Sequence, residues 1–345
     1  MSGKIRLGKT RDSRTRKQQV KAVNVAEAES LLEELKNQKE FTQYLLLKGY
    51  STSTAKRYVK DAVKFIEWAE KENVQIEQVS YSDVLHYIQG KRNHVKQRTV
   101  STNINSIKHY FNFLAITDQT IENPTTQIQI KGVNRKMLYH ILSKQELESL
   151  YNNFEIPDEN SKHKNQNWFK TSQLASKRNK VILGLLIYQG LGTTELGRLT
   201  EKDLKLREGK IFVAGTRRSN EREMKLEAHQ VLDIMEYTLK IRNEILALTG
   251  KQSESLFVSA GESGEFRSII NKLIKKLKQS RLPSGSKVTS VSQIRTSVIT
   301  HWLKIHNLRQ VQHMAGHRYV SSTESYFVND LDDLQEEISK FHPIG

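Results

Sequence analysis

Apolar residues recur at helical spacing along most of this chain, and this feature constrains its fold more than any other. In one such segment Tyr58, Ala62, Phe65, Ile66 and Ala69 stand at i, i+4, i+7, i+8 and i+11, the repeat that places side chains on one face of an α-helix. The 345 residues include only 4 prolines and 17 glycines, so few residues interrupt such helices. The sequence therefore predicts a mainly α-helical protein with a small antiparallel β-sheet.

The charge of the chain indicates what it binds. Its 55 Lys and Arg residues outnumber 38 Asp and Glu residues, for a formal net charge of +17, which favours a polyanion such as double-stranded DNA as the partner. No run of 18 apolar residues occurs and the first thirty residues are basic and polar, so we expect no membrane span, no signal peptide and a cytoplasmic location. Because the chain has no cysteine, disulfides and thiolate metal sites are excluded.

Basic residues accompany the apolar stripes in the first part of the chain. They predict contacts with DNA phosphates, although a solvated helix face is the alternative for any charged stripe. The candidates are Arg57, Lys60 and Lys64 on one helix, Lys91, Arg92, Lys96 and Arg98 around the next helix boundary, and Arg135 and Lys136 in a polar segment further on.

A segment near the C-terminus combines the groups that phosphoryl transfer requires. Residues 308–327 read LRQVQHMAGHRYVSSTESYF and set His317 nine residues before Tyr326, while Arg295 precedes the tyrosine by thirty-one. A phenol can act as a nucleophile, and an arginine can hold two phosphate oxygens as a planar fork. A histidine with a pKa near neutrality can donate to an oxygen or orient the site.

This combination resembles the C-terminal active site of the tyrosine recombinase (phage integrase) family. Two further segments carry the resemblance, QGLGTTELGRLTEKDL at 189–204 and YLLLKGYSTSTAKRYVKDAVKFIEWA at 44–69. By this resemblance Arg295 is the second active-site arginine, His317 the late active-site histidine and Tyr326 the nucleophile. The resemblance also implies a two-domain, C-shaped clamp on duplex DNA and a homotetramer on paired sites.

Three expected site residues are absent. The arginine that normally follows Gly-Leu is Gly192, the lysine of the strand turn is replaced by Thr216 or Arg217 in AGTRRSNER, and the histidine three residues before Arg295 is Ser292. Arg217 and Arg218 are therefore supporting candidates that supply charge, with a solvated hairpin tip as the alternative. Ser292 is interpreted as a helix cap or a hydroxyl donor.

We expect neither a metal nor a nucleotide cofactor. His313 and His317 lie four residues apart, but no acidic third ligand stands near them, as a helical metal site would require. A covalent 3′-phosphotyrosine conserves the energy of the phosphodiester bond, so rejoining of the strand needs no nucleotide.

On this interpretation the chain has five regions, with strands at about 203–206, 210–214 and 222–226 and a polar loop without periodicity at 156–176. The regions are a basic N-terminal tail (1–37), a helical core-binding, DNA-binding domain (38–122), a linker (123–140), a catalytic domain (141–328) and a C-terminal partner-docking segment (329–345).

Three functions fit these features. The first is a site-specific recombinase or integrase that cuts and rejoins duplex DNA through a 3′-phosphotyrosine intermediate and a Holliday junction. The second is a recombinase-like DNA-binding accessory protein with weak or no catalysis, which the missing site residues favour. A relaxing topoisomerase with the same chemistry is the third, and it fits the partner-docking segment less well.

Overall fold

The chain divides into two compact units, residues 1–137 and residues 138–345, and the division falls inside the predicted linker. A computed structural model describes residues 38–117, 122–132, 139–158, 160, 162–216, 219–261, 265–280 and 282–327. Within these ranges no helix is both long and apolar enough to cross a bilayer.

The first unit is helical. Ser51 is the N-cap of one of its two 20-residue helices and accepts a hydrogen bond from the Thr54 amide, a role that serine favours. The predicted stripe faces inward, since Ala62, Phe65 and Ala69 are buried. The helices are α1 (Gln38–Leu47), α2 (Thr52–Lys71), a 3₁₀ turn (Ile76–Gln78), α3 (Tyr81–Arg92) and α4 (Gln97–Ile116).

The second unit combines helices with one small sheet. Its first part contains α5 (Lys144–Asn152), α6 (Asn167–Tyr188), α7 (Thr193–Leu196), a 3₁₀ turn (Glu201–Asp203), β1 (Leu204–Lys205), a second 3₁₀ turn (Leu206–Glu208), β2 (Lys210–Val213) and β3 (Arg222–Lys225). Its second part contains α8 (Ala228–Glu236), a π-helical turn (Tyr237–Ile241), α9 (Arg242–Thr249), α10 (Phe266–Lys278), α11 (Pro283–Lys287), α12 (Val291–Ile305), α13 (Leu308–Ala315) and α14 (Val320–Glu324).

The sheet is antiparallel with the order β1-β2-β3, so the predicted fold class of helices with a small antiparallel sheet is confirmed. Ile211 lies opposite Met224, and Val213 lies opposite Arg222. Side chains alternate along β3, and Arg222 and Met224 point inward. An arginine therefore stands at an inward position of this short strand.

Helix α6 lies in the core of the second unit and packs against α5, α8 and α12. The predicted loop at 156–176 is wrong in its second half, because α6 begins at Asn167. Phe169 and Leu174 are buried there and pack the first turns of the helix against the protein, while the other side chains of these turns are mostly polar. Two anchors are too few to give the apolar repeat by which a helix is recognised in a sequence.

Candidate active site

Arg295, His317 and Tyr326 reach the same region of the second unit from three consecutive helices. Ser290 caps α12 by accepting a hydrogen bond from the Gln293 amide, and Arg295 lies in the second turn of that helix. Helix α13 ends at Gly316 with a positive φ of 69°, which turns the chain so that His317 follows directly. Helix α14 then leads to Tyr326.

The Arg295 side chain is held by hydrogen bonds to three acceptors. Its Nη1 donates to the Gly190 carbonyl at 2.6 Å and to Glu195 Oε2 at 2.8 Å, and its Nη2 donates to the Ala315 carbonyl at 2.7 Å. A guanidinium has five N–H donors, so these bonds leave two N–H groups without an acceptor among the described residues. The side chain remains partly exposed, and those two donors can serve an incoming anion.

Glu195 connects Arg295 to a second arginine, Arg222, which the sequence analysis did not identify. Glu195 Oε1 accepts from Arg222 Nη1 at 2.8 Å, while Glu195 Oε2 accepts from Arg295 and from the Gly192 amide. Burial raises the pKa of Glu195, but the Arg222 hydrogen bond and the charges of both arginines outweigh it and lower the pKa below its usual value. The carboxylate is therefore ionised at neutral pH.

A signal for Arg222 was present in the sequence. In the predicted strand 222–226, Arg222 alternates with Met224 and so belongs to the inward face. A buried arginine requires acceptors for its N–H donors, and a carboxylate is the strongest of them. Glu195 is the buried acid that Arg222 contacts.

His317 lies between Thr323 and Tyr326. Its Nδ1 is 2.9 Å from the Thr323 hydroxyl, and its ring stacks on the Tyr326 ring with centroids 5.6 Å apart and an interplanar angle of 19°. Burial, followed by the charges of Arg295 and Arg222, lowers the pKa of His317 to about 4. The expectation of a pKa near neutrality is therefore wrong for the DNA-free protein, in which the imidazole is uncharged at pH 7.

The strand turn before β3 also contacts this region. The Asn220 amide donates to the Gly316 carbonyl at 2.8 Å, and Ser219 forms a β-bridge with His317. Thr216 and Ser219 close the turn through a hydrogen bond between their hydroxyls. The supporting candidates Arg217 and Arg218 lie outside the described residues, and their contact with phosphate stays a prediction.

Gly316 is expected to be intolerant of any side chain. A Cβ built there would lie 2.4 Å from Arg222 Nη1 and 3.1 Å from the Asn220 carbonyl, and the φ of 69° disfavours side chains in any case. We expect Gly316→Ala to lower the free energy of unfolding by about 2–4 kcal/mol, as the sum of backbone strain and overpacking. Urea denaturation of the two proteins measures this difference.

Gly250 provides the matched control for that prediction. Its φ is 63°, and a Cβ built there meets no atom within 4 Å. Gly250→Ala therefore carries the backbone strain alone, and we expect a loss of about 1 kcal/mol. Equal losses for the two variants would show that the contact between Gly316 and Arg222 is not tight.

Comparison with known proteins gives the family. The model of the phage integrase family matches residues 140–332, and the model of the phage integrase N-terminal SAM-like domain matches residues 38–117. This chain belongs to the phage integrase family. The two matches cover most of the described residues of each unit.

Relatives of this integrase-family protein span nearly its whole length. It is 26% identical over 313 residues to the tyrosine recombinase XerC of Bacillus pumilus (strain SAFR-032), which covers 88% of this chain and 95% of that relative. It is 24% identical over 308 residues to the tyrosine recombinase XerC of Staphylococcus aureus (strain MSSA476), which covers 86% and 92%.

Solved structures share its fold. The XerH site-specific recombinase bound to its difH substrate aligns with a TM-score of 0.59 at 15% identity, over 81% of this chain and 78% of that one. The Tn1549 transposon integrase in complex with transposon right end DNA aligns with a TM-score of 0.56 at 17% identity, over 88% and 98%. At these identities the likeness establishes the fold.

Two departures from the family pattern can be located in the second unit. Gly192 has ordinary extended angles, φ −86° and ψ 161°, and a Cβ there would contact Glu195 Oε2 at 3.4 Å and Arg295 Nη1 at 3.7 Å. Ser292 is exposed on the first turn of α12. The interpretation of Ser292 as the helix cap is wrong, since Ser290 stands at the end of the helix and caps it.

All the predicted DNA-contacting residues that the structure describes lie in the first unit. Lys91 is half-buried, with its Nζ 5.2 Å from the centre of the Tyr87 ring, and the others are exposed. Arg135 and Lys136 lie outside the described residues. The exposed residues are Arg57, Lys60, Lys64, Arg92, Lys96 and Arg98.

No candidate metal centre was found in the described part of the chain, where no three His, Asp or Glu side chains cluster suitably for a metal ion. His313 is exposed on α13, whereas His317 lies beyond the end of that helix. The two histidines therefore do not share a helix face, as the helical spacing in the sequence had suggested.

Proposed function

We propose that this protein is a tyrosine-type site-specific DNA recombinase that cleaves one DNA strand with Tyr326. The observation that carries the proposal is the contact of His317 with Tyr326 beside Arg295. The two rings stack, and the Ala315 carbonyl, two residues before His317, accepts a hydrogen bond from Arg295. A nucleophile, a hydrogen-bond donor and a phosphate-binding cation are thereby brought together, as in-line phosphoryl transfer requires.

The chemistry follows from these three side chains. The Tyr326 oxygen forms a bond to phosphorus while the bond from phosphorus to the 5′ oxygen breaks, which leaves a 3′-phosphotyrosine. The phenol loses a proton and the leaving 5′ oxygen gains one, so the step is balanced without a cofactor. The two remaining N–H groups of Arg295 suit two phosphate oxygens. A neutral His317 can donate from Nε2 while its Nδ1 accepts from Thr323.

The reverse attack by a 5′ hydroxyl on the phosphotyrosine would rejoin strands, and exchange between two duplexes would pass through a Holliday junction. Among proteins of the same fold, lambda integrase has been solved as a tetramer bound to a Holliday junction, with a TM-score of 0.55 at 12% identity. We extend the same assembly to this protein as a homotetramer on paired double-stranded DNA sites. The C-terminal segment 329–345, proposed to dock on a neighbouring protomer, lies outside the described residues.

A nicked suicide duplex tests the proposal. The duplex carries the DNA that flanks the gene, and the nick lets the cleaved strand diffuse away, so that a covalent intermediate accumulates. We expect a protein–DNA adduct on a denaturing gel. A matched duplex with a bridging sulfur at the 5′ position needs no acid for its leaving group, and we expect faster cleavage of it.

The second candidate function, a DNA-binding accessory protein, is favoured by Gly192. Loss of one preorganised donor typically slows a charged transition state by about 10²–10³-fold. If neither substrate gives an adduct while the protein still binds duplex DNA, the recombinase proposal fails and the accessory function holds.

A further inference from the structure

Arg222 is a buried cation with unused hydrogen-bonding capacity. Its side chain has 0% of its surface exposed, and its Nη1 donates to Glu195 Oε1. Its Nε and Nη2 are buried without a partner among the described residues. Burial of a charge is costly unless the charge is paired and hydrogen-bonded. Arg222 has one carboxylate as its partner and shares it with Arg295, so its position beside the candidate active site requires an explanation.

The charge balance of the site provides one. Glu195 is a single carboxylate that contacts two guanidinium groups, Arg222 through Oε1 and Arg295 through Oε2. The group of three therefore carries one net positive charge. Without Arg222, Glu195 would neutralise Arg295, and these two described residues would present no net charge to a phosphate. Position 192 is a glycine in this chain, so it supplies no cation that could replace the lost charge.

We propose that Arg222 is a positioning residue that sets the charge of the active site, by neutralising Glu195 so that the charge of Arg295 remains available to the scissile phosphate. The inference deepens the proposed function and rests on it for the identity of the phosphate. Its electrostatic part concerns the protein without DNA and can be tested separately.

The surroundings of Arg222 fix it in this role. The inward register of β3 sets its direction, and Gly316 leaves no room between α13 and the guanidinium. The adjacent Asn220 amide is bonded to the Gly316 carbonyl, so β3 and the loop that carries His317 are held together. These contacts enclose the Arg222 side chain beside Glu195.

Three variants separate charge from structure. Arg222→Gln removes the charge and keeps a polar side chain, and Arg222→Lys keeps the charge without the planar fork. The double variant Arg222→Gln with Glu195→Gln removes both charges of the pair. Arg295 then has no carboxylate partner, and the group of three carries one net positive charge, as in the wild type. Arg178→Gln is the control for burial, because Arg178 is equally buried but bonds to Asn179 and to the Val258 carbonyl.

His317 reports the charge of the site without DNA. The charged groups that act on it are Arg295, Arg222 and Glu195, and its uncharged neighbours are Thr323 and Tyr326. We expect NMR titration of its imidazole to show a raised pKa in Arg222→Gln, because a nearby cation has been removed. The lysine and double variants and Arg178→Gln should stay close to the wild type. An unchanged His317 pKa in folded Arg222→Gln would overturn the inference.

Cleavage provides the second readout, measured as the rate of adduct formation on the nicked duplex at saturating DNA. We expect Arg222→Gln to be slower by about 10²-fold and the lysine variant to stay within about tenfold of the wild type. The double variant should be faster than Arg222→Gln alone but slower than the wild type, because Glu195→Gln frees the charge of Arg295 and weakens one of its hydrogen bonds. A merely structural role predicts instead that the rate follows thermal stability, so that Arg178→Gln and the lysine variant lose as much as Arg222→Gln. That pattern would overturn the inference.

The two readouts distinguish the inference from the proposed function. If the wild type forms no adduct, the proposed function fails and the titration alone decides the role of Arg222. Should Arg222→Gln not fold, Arg222→Lys carries the test. Its cleavage within about tenfold of the wild type supports the role of charge, and a loss of about 10²-fold or more contradicts it.

Discussion

The Tyr326→Phe variant is expected to form no detectable covalent adduct with the nicked duplex while it binds duplex DNA as the wild type does. Removal of a nucleophile abolishes the covalent step and typically lowers the rate by about 10⁴-fold or more. The phenyl ring can keep its stacking on His317. Among the described residues the Tyr326 hydroxyl has no hydrogen-bond partner, so the fold should tolerate its loss.

Tyr319 is the matched control for this experiment. It lies seven residues before Tyr326 and is 68% exposed, so its hydroxyl is open to solvent and its side chain is more exposed than that of Tyr326. Tyr319→Phe should form the adduct at the wild-type rate. If Tyr326→Phe still forms adducts and Tyr319→Phe does not, the nucleophile has been assigned to the wrong residue. DNA affinity, measured by fluorescence anisotropy, should agree within about twofold among the three proteins, since a neutral hydroxyl adds little to binding that rests on phosphate charge.

The helices and the strands could be predicted because their patterns are local. The stripe that includes Ala62 and Phe65 is buried as its spacing requires. Ser143 and Glu146 form a capping box, and a serine followed by a glutamate three residues later is a pattern that the sequence itself displays. The start of α6 could not be predicted, because Phe169 and Leu174 are buried beside Ile241, which is distant in the sequence. Burial of that kind depends on tertiary packing, which no local repeat records.

The candidate site could be predicted only in part, for a related reason. Arg295, His317 and Tyr326 carry groups whose chemistry is visible in the sequence, and the structure brings them together. The contact between Arg222 and Glu195 joins residues 27 positions apart through a buried ion pair, which no spacing rule specifies. The pKa of His317 is likewise set by burial and by two arginines from other elements. The arrangement of the two units around DNA, as a C-shaped clamp, stays a prediction.

Gly192→Arg is expected to raise the rate of strand cleavage by about 10²-fold. The backbone at Gly192 has φ −86° and ψ 161°, angles that any residue can adopt. A Cβ there would be in ordinary contact with Glu195 and Arg295, so a side chain can begin at this position without displacing its neighbours. Its guanidinium would stand beside Arg295, where a phosphate is proposed to bind.

The expected gain follows from how the charge changes during the reaction. A phosphodiester carries one negative charge, and attack by the phenolate oxygen gives a pentavalent phosphorane that carries two. One net positive charge, from the group of Arg222, Glu195 and Arg295, matches the bound diester. A second cation would meet a second negative charge only in the transition state. Interactions that are stronger in the transition state than in the ground state raise the rate. The effect should therefore appear in the cleavage step at saturating DNA.

Gly192→Met is the control, because methionine has a long side chain without a charge. We expect it to cleave no faster than the wild type, so that the gain in Gly192→Arg can be assigned to the cation. The arginine should also recover cleavage in the Arg222→Gln background, where the site has lost its net charge. If the arginine and methionine variants cleave alike, the missing cation is already supplied by another residue, with Arg217 or Arg218 on the strand turn as the first candidates. Single-turnover rates of these variants on the nicked duplex decide between the two outcomes.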